Sequence, residues 1–506
     1  MLRHSTRSLC AILLALVLAL AAVPAAVAQD GGAVPVTVVG GVDEPQTYPD
    51  QAIDGFTFTN MAYRSLYPSG MQFTATITPP EGTEIDRVTL FYTFATGKGG
   101  RVAAEPGAAP GEWIAVPYGG RGLPPWHEVD AYWGVRTRQE VNANSEPVHA
   151  VYYDARREWF RAESEDIVVY WYGMPEDLGR VVLDAMAGNR ETYLAGFGEP
   201  LPYRPMAVIF APGPDWSEYK GDESIDDTQT GFTGTIVSEA GSTIQRVRTL
   251  EPAAIRANCI WNPQNPTVEF QINQAASTTV HEVAHLYQQE LGVLHGPTWW
   301  IEGQATFFET FPEYPVHERL SHLAELRGGD FPSFHGDGPG GGALTAAEDG
   351  CTHLIYDMGA SFMRWLVDTQ GGIDTYRAVV EEMKHGVALE QALETATGQS
   401  FLDLENAWRG FLGVAEVPLS VLDPASALSE PAEPFFAEGD QVTLPAAPFQ
   451  QTIYTAPSTT SISNAFCFAN TPVTILRAGS DGALNWYEVD CMGMRGWMNQ
   501  GQMVGP

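Results

Sequence analysis

Lysine is nearly missing from this chain. Three lysines (Lys98, Lys220 and Lys384) occur in 506 residues, and Lys plus Arg total 27 against 62 Asp plus Glu. The formal charge of −35 makes the surface repel phosphate backbones and anionic lipid, which excludes nucleic acid as a partner. The acids are spread along the chain, so the acidity reads as solubility or salt tolerance rather than as attraction for cationic substrates. Long apolar runs are missing beyond the first 28 residues, so no stable membrane insertion is expected. A phosphate loop is missing too. The glycine-rich stretch from Gly336 to Gly342 lacks the Lys-Ser/Thr such a loop needs and reads as a flexible loop near a cleft. Cysteine is scarce, with five in the chain, and none has structural-zinc spacing or the neighbours of a nucleophile.

The first residues read as a secretory signal. Arg3 and Arg7 give a positive start, Leu9 to Val23 an apolar run, and Ala26-Val27-Ala28 a small-residue cleavage site. The apolar run is short for an uncleaved anchor. Cys10 lies too early, with the wrong neighbours, to be a lipoprotein attachment point. Cleavage near Ala28 would remove two arginines and no acid, moving the charge from −35 to −37. Cys259, Cys351, Cys467 and Cys491 would remain. An even count in an exported chain suggests two disulfides, and four cysteines allow three pairings. The pairing favoured here is Cys259–Cys351 and Cys467–Cys491.

His281-Glu282-Val283-Ala284-His285 carries the chemistry. Two histidines four apart on a helix share one face and can reach one ion. Helical spacing from Gln271 to Leu291, ended by Gly292, predicts that helix. Glu282 is then placed to hold and deprotonate a water at the metal. In Trp299-Trp300-Ile301-Glu302-Gly303-Gln304-Ala305, Glu302 falls early in a second predicted helix, capped by Thr298 and stopping before Pro312. Two histidines and a glutamate leave one position open, as a catalytic zinc requires. Thr306, one turn beyond Glu302, is a candidate support for that ligand. His295, His317, His322, His335 and His353 are read as non-ligands.

HEVAH followed by WWIEGQATFFE resembles the gluzincin metallopeptidases, and most closely bacterial secreted proteins with a peptidase-MA-like domain. The resemblance spans roughly residues 160 to 415. It implies Zn2+ as cofactor, His281, His285 and Glu302 as its ligands, and Glu282 as general base. The segment from Tyr356 to Asp368 is similar to that family's later Tyr-x-x-Gly helix, which implies Tyr356 as the residue stabilising the tetrahedral intermediate. No aminopeptidase-type GxMEN segment occurs, so exopeptidase specificity is not implied.

The rest of the chain divides by pattern. Residues 29–160 carry alternating segments at Phe56–Thr59, Met71–Ile77 and Val88–Phe94, expected to form an immunoglobulin-like β-sandwich. Trp126 and His127 read as packing or loop residues. Residues 161–415 open β-α-β: a strand at Ile167–Tyr172, a helix at Pro175–Phe197 and a strand at Met206–Phe210. The resemblance further implies that Thr233 to Val247 supplies an edge strand beside the cleft, able to bind an extended substrate. Asp222 to Asp227 reads as a solvated acidic loop rather than a calcium site. Helices are predicted over 374–386, 387–397 and 400–412. Residues 416–440 suit a linker. Residues 441–506 hold short strands with Trp486-Tyr487 and Gly496-Trp497, which resemble a bacterial SH3-like domain. Such a module implies cell-wall or peptide ligands, while Trp486 and Trp497 could equally be core.

The expected protein is therefore multidomain, with a thermolysin-like α+β centre. The expected activity is that of a secreted zinc peptidase acting on a peptide or protein substrate. Two alternatives use the same residues: a peptidoglycan amidase or cell-wall peptidase, and a non-catalytic binding protein with a vestigial zinc site.

Overall fold

The computed structural model describes residues 35–41, 43–118, 122–212, 234–247, 267–309, 316–327, 331–336, 348–349, 352–418, 422, 428–430, 436–446, 450–454, 456–457 and 465–504. The expected signal, the Cys259–Cys351 pairing, the acidic stretch at 222–227 and the glycine run beyond Gly336 lie outside these residues.

The N-terminal region is β-rich. Alternation dictates its layers: from Met71 to Thr78 every second side chain is buried, and the same holds along His127–Thr137. Two antiparallel sheets, one of five strands and one of six, enclose a shared core of Phe58, Phe73, Leu90 and Trp133. That core holds the region together, because each ring or branched side chain fully removed from water contributes on the order of 1.5–3 kcal/mol.

The middle region is built on a six-stranded mixed sheet in the spatial order 37–39, 159–163, 168–171, 206–210, 242–246, 234–237. The strand Val168–Trp171 leads through helix α1 (Asp177–Phe197) to the parallel strand Met206–Phe210. The hairpin Gly234–Val237/Ser242–Arg246 follows, and its outer strand forms the sheet edge. Two features differ from the sequence reading. The boundary drawn at 160 cuts the strand Trp159–Glu163, and Thr37–Val39 pairs with that strand from more than a hundred residues away. Trp126 and His127 also do more than pack locally. Trp126 stacks on Tyr170 of the middle sheet at 5.3 Å, and His127 Nε2 meets Ser242 Oγ at 2.8 Å. The β-rich region is thereby bonded to one face of that sheet.

Helices α1 and α2 (Val268–Leu291) cover the opposite face, and further helices pack beyond them: α3 (Thr298–Phe308), α4 (Val316–Arg327), α5 (Leu354–Thr369), α6 (Ile373–Lys384), α7 (Leu389–Thr397) and α8 (Phe401–Phe411). Caps set their limits. The Thr267 side chain accepts from Phe270 N at the start of α2, and Gly292 ends it at φ 70°, a conformation that favours glycine. The start of α3 departs from expectation. Pro297 occupies the cap without a side-chain bond, and Thr298 is the first helical residue.

The C-terminal region is a four-stranded antiparallel sheet beside a hairpin, tied by a Cys467–Cys491 disulfide. Trp486 and Trp497 are 1% and 6% exposed, so both belong to the interior rather than to an exposed binding platform. Among the described residues no helix is long and apolar enough to cross a membrane.

Candidate metal centre

Helix α2 is fixed from three sides before any ligand is considered. Its apolar face, with Ala276, Val280, Val283 and Ala284, lies in the main core. Tyr193 of α1 donates to Val280 O at 2.6 Å, and Gln245 of the sheet donates to Ala275 O at 2.9 Å. The two carbonyls lie one and six residues before His281, so the rotation of α2 is set. Helix α3 then meets α5 at glycine. A Cβ on Gly303 would lie 2.5 Å from Gly359 Cα, and one on Gly359 would lie 2.1 Å from Trp299 O. This close approach brings Glu302 of α3 and Tyr356 of α5 toward the two imidazoles of α2.

The resulting geometry is a small triangle. His281 Nε2 is 3.2 Å from His285 Nε2, His281 Nε2 is 3.3 Å from Glu302 Oε2, and His285 Nε2 is 3.4 Å from Glu302 Oε2. Among the described residues these three side chains form a group able to hold a metal ion. The spacing is compatible with a tetrahedral metal ion. Zinc bonds of roughly 2.0–2.1 Å at tetrahedral angles place neighbouring ligand atoms roughly 3.4 Å apart.

The outer nitrogens decide the tautomers. His281 Nδ1 lies 2.7 Å from Glu309 Oε1, a carboxylate that only accepts. His285 Nδ1 lies 2.7 Å from Gln288 Oε1. The Gln288 amide is oriented by its Nε2, which donates to Ile301 O and Gln304 Oε1. Both Nδ1 atoms are therefore donors, and a neutral imidazole then turns an Nε2 lone pair inward. Two lone pairs facing a carboxylate suit a cation, either a metal ion or a proton. The charges around His281 favour the proton. Burial would lower the His281 pKa, but hydrogen bonds to Glu302 and Glu309 outweigh it and raise it well above its ordinary value. Burial would raise Glu302, yet the same histidines hold it well below the usual carboxylate range.

Glu282 is buried, 7% exposed, and sits within electrostatic reach of both histidines, Glu302 and Glu309. Burial raises its pKa first, and the two carboxylates add to that against the lowering effect of the histidines. Tyr356 lies in the first turn of α5, its ring stacked on His281 with centroids 5.8 Å apart. Burial raises its phenol pKa, and Glu302 and Glu282 raise it further, so the O–H stays protonated, with Glu302 as a hydrogen-bond partner.

Glu309 and Gln288, which orient the two imidazoles, were not singled out in the sequence. A carboxylate just past the end of the Glu302 helix, and an amide three residues beyond His285, were the available signals. Thr306, singled out instead, is 2% exposed and its hydroxyl has no hydrogen-bond partner, so it does not support Glu302. His317 bonds Ser361 Oγ at 2.7 Å and His335 bonds Glu405 at 2.6 Å, outside the triangle. The side chains of His322 and His353 lie outside the described residues.

No family model and no curated protein matches this chain. Among solved structures, an aminopeptidase N family protein from Idiomarina loihiensis is 10% identical over 89% of this chain and 94% of its own, with a TM-score of 0.24. The Br derivative of BhCBM56 is 15% identical over 21% of this chain and 98% of its own, with a TM-score of 0.16. Likenesses this slight carry no argument about fold or chemistry.

Proposed function

We propose that this chain is a secreted zinc-dependent peptidase. The observation that carries the reading is the triangle of two Nε2 atoms and one Oε2, 3.2, 3.3 and 3.4 Å on its sides, beside a buried glutamate. The accompanying fold reading is a gluzincin-like centre, an immunoglobulin-like sandwich over 29–160 and an SH3-like barrel over 441–506.

His281, His285 and Glu302 would hold the ion. Zinc bound there supplies Lewis acidity and lowers the pKa of a water toward about 7. Glu282 accepts a proton from the attacking water and returns it to the leaving amine. Tyr356 donates its O–H to the carbonyl oxygen as negative charge develops. Glu309 and Gln288 keep both imidazoles in the tautomer the ion needs. The edge strand Gly234–Val237 packs beside α2 and offers backbone groups to an extended peptide.

The test is hydrolysis by the zinc-loaded protein of casein and a broad peptide library, with purified cell-wall sacculi alongside. Peptides should be cleaved. Glu282→Gln should retain zinc and lose roughly 10²–10⁴-fold in rate. Cleavage of sacculi alone would transfer the reading to a peptidoglycan amidase. No hydrolysis of any substrate would leave only a binding role for the centre.

A further inference from the structure

Phe91 and Tyr132 face each other across two antiparallel strands, Ile85–Phe94 and His127–Thr137, of the N-terminal region. They alternate with the buried Leu90, Ala131 and Trp133, so they lie on the outer face of the sheet. Their rings are parallel, with centroids 5.0 Å apart and 10° between planes. The next strand, Gly99–Ala103, is the edge of the sheet, with Arg101 opposite Phe91 and Gly99 opposite Thr93. Gly99, opposite Thr93, brings no side chain to this face. The result is a shallow open cleft of about 360 Å³ lined by Phe91, Tyr92, Thr93, Arg101, Tyr132 and the glycines at 99 and 100.

Arg101 brings a positive charge to this face. Elsewhere in the same region Arg64 pairs with Asp43, Arg136 with Asp86 and Arg138 with Glu84. In a chain where acids outnumber bases 62 to 27, the Arg101 side chain, like that of Arg87, makes no ion pair or hydrogen bond with a described residue. Among the described residues no guanidinium covers Phe91 either. On the other side, Asp130 lies opposite Thr93 and meets His149 Nδ1 at 3.2 Å. The aromatic row is thus flanked by a guanidinium with no partner among the described residues, a hydroxyl, and a carboxylate that meets His149.

We infer that this face binds a saccharide. A pyranose ring has a C–H face that packs on an aromatic ring and a hydroxyl edge that both donates and accepts. The cleft offers both surfaces at once. Its openness leaves the far side of the ligand in water, which suits a hydroxyl-rich molecule. A flat apolar ligand would need the enclosure that ordinary small-molecule sites provide. A polyphosphate strand would be repelled by the net charge of −35. The inference does not depend on the metal centre.

The experiment is affinity electrophoresis of the full chain through native gels containing a soluble neutral β-glucan, a xylan or a galactomannan. At least one polysaccharide should slow migration, with or without a chelator. Phe91→Ala and Tyr132→Ala should each weaken that retardation by about tenfold, the equivalent of about 1.4 kcal/mol. Thr93→Trp fills the cleft from an exposed position without removing a packed group, so it should abolish retardation with the thermal midpoint unchanged. No retardation in any of the three gels would overturn the inference. So would retardation that survives Thr93→Trp, or binding of a proline-rich peptide at these residues in place of every polysaccharide.

Discussion

At the scale of single residues the centre is a lesson in what spacing can reveal. The pair His281 and His285 is legible because four residues are one helical turn, and Glu282 comes with it. Glu302 is legible because it falls in a second helical pattern within one short loop. Glu309 and Gln288 are harder to see, because their roles follow from how α2 and α3 cross. Thr306 shows the converse: helical spacing from Glu302 is correct, yet the side chain points into a place with no partner. The consequence is testable at Glu309. Replacing it with Ala leaves His281 Nδ1 without its 2.7 Å acceptor and frees the tautomer. Zinc affinity should fall about 10–100-fold, measured by competition with a chromophoric chelator. An unchanged affinity would show that Glu309 does not orient the ligand.

Among elements, the decisive contact is the crossing of α3 and α5. Cap and proline signals placed α3, and the family likeness of Tyr356 to Asp368 implied α5, but neither gave a sign of the contact between them. In three dimensions Gly303 and Gly359 let the backbones touch. A methyl group at residue 359 would fall 2.1 Å from Trp299 O, a backbone atom with no freedom to yield. Gly359→Ala should therefore push the helices apart and cost about 1–3 kcal/mol or more by denaturant unfolding. Zinc affinity should drop in the same variant, because Glu302 rides on α3. Full stability with full zinc binding would show that the crossing does not position the ligand. The first strand of the middle sheet was hidden for a different reason. Thr37–Val39 is three residues long, and its partner lies beyond the whole β-rich region.

For the molecule as a whole, local pattern separated a β-rich beginning, a helical middle and a small β end, but not how the first two join. Their junction is built on Trp126 and His127, which local sequence presents as ordinary packing residues. Burial between the two regions lowers the His127 pKa to about 4, against the pull of carbonyl oxygens of Pro124 and Pro125. The unfolded chain binds that proton near pH 6.5, so below it the unfolded state holds more protons. Stability should be full above about pH 6.5, fall on acidification, and level off near pH 4. The loss is on the order of 3 kcal/mol from this group. His127→Gln should flatten that segment of the stability–pH curve relative to wild type, as followed by thermal unfolding. Parallel curves would remove His127 from the account.

The claim beneath the catalytic proposal is that one zinc ion rests on three side chains from two helices. X-ray absorption of the zinc-loaded protein, with metal content measured alongside, addresses it directly. The account predicts one zinc per chain, two imidazole nitrogens and a carboxylate oxygen at roughly 2.0–2.2 Å, and loss of that zinc in His281→Ala and Glu302→Ala. Zinc bound through sulfur, or the same content in those variants, would contradict it.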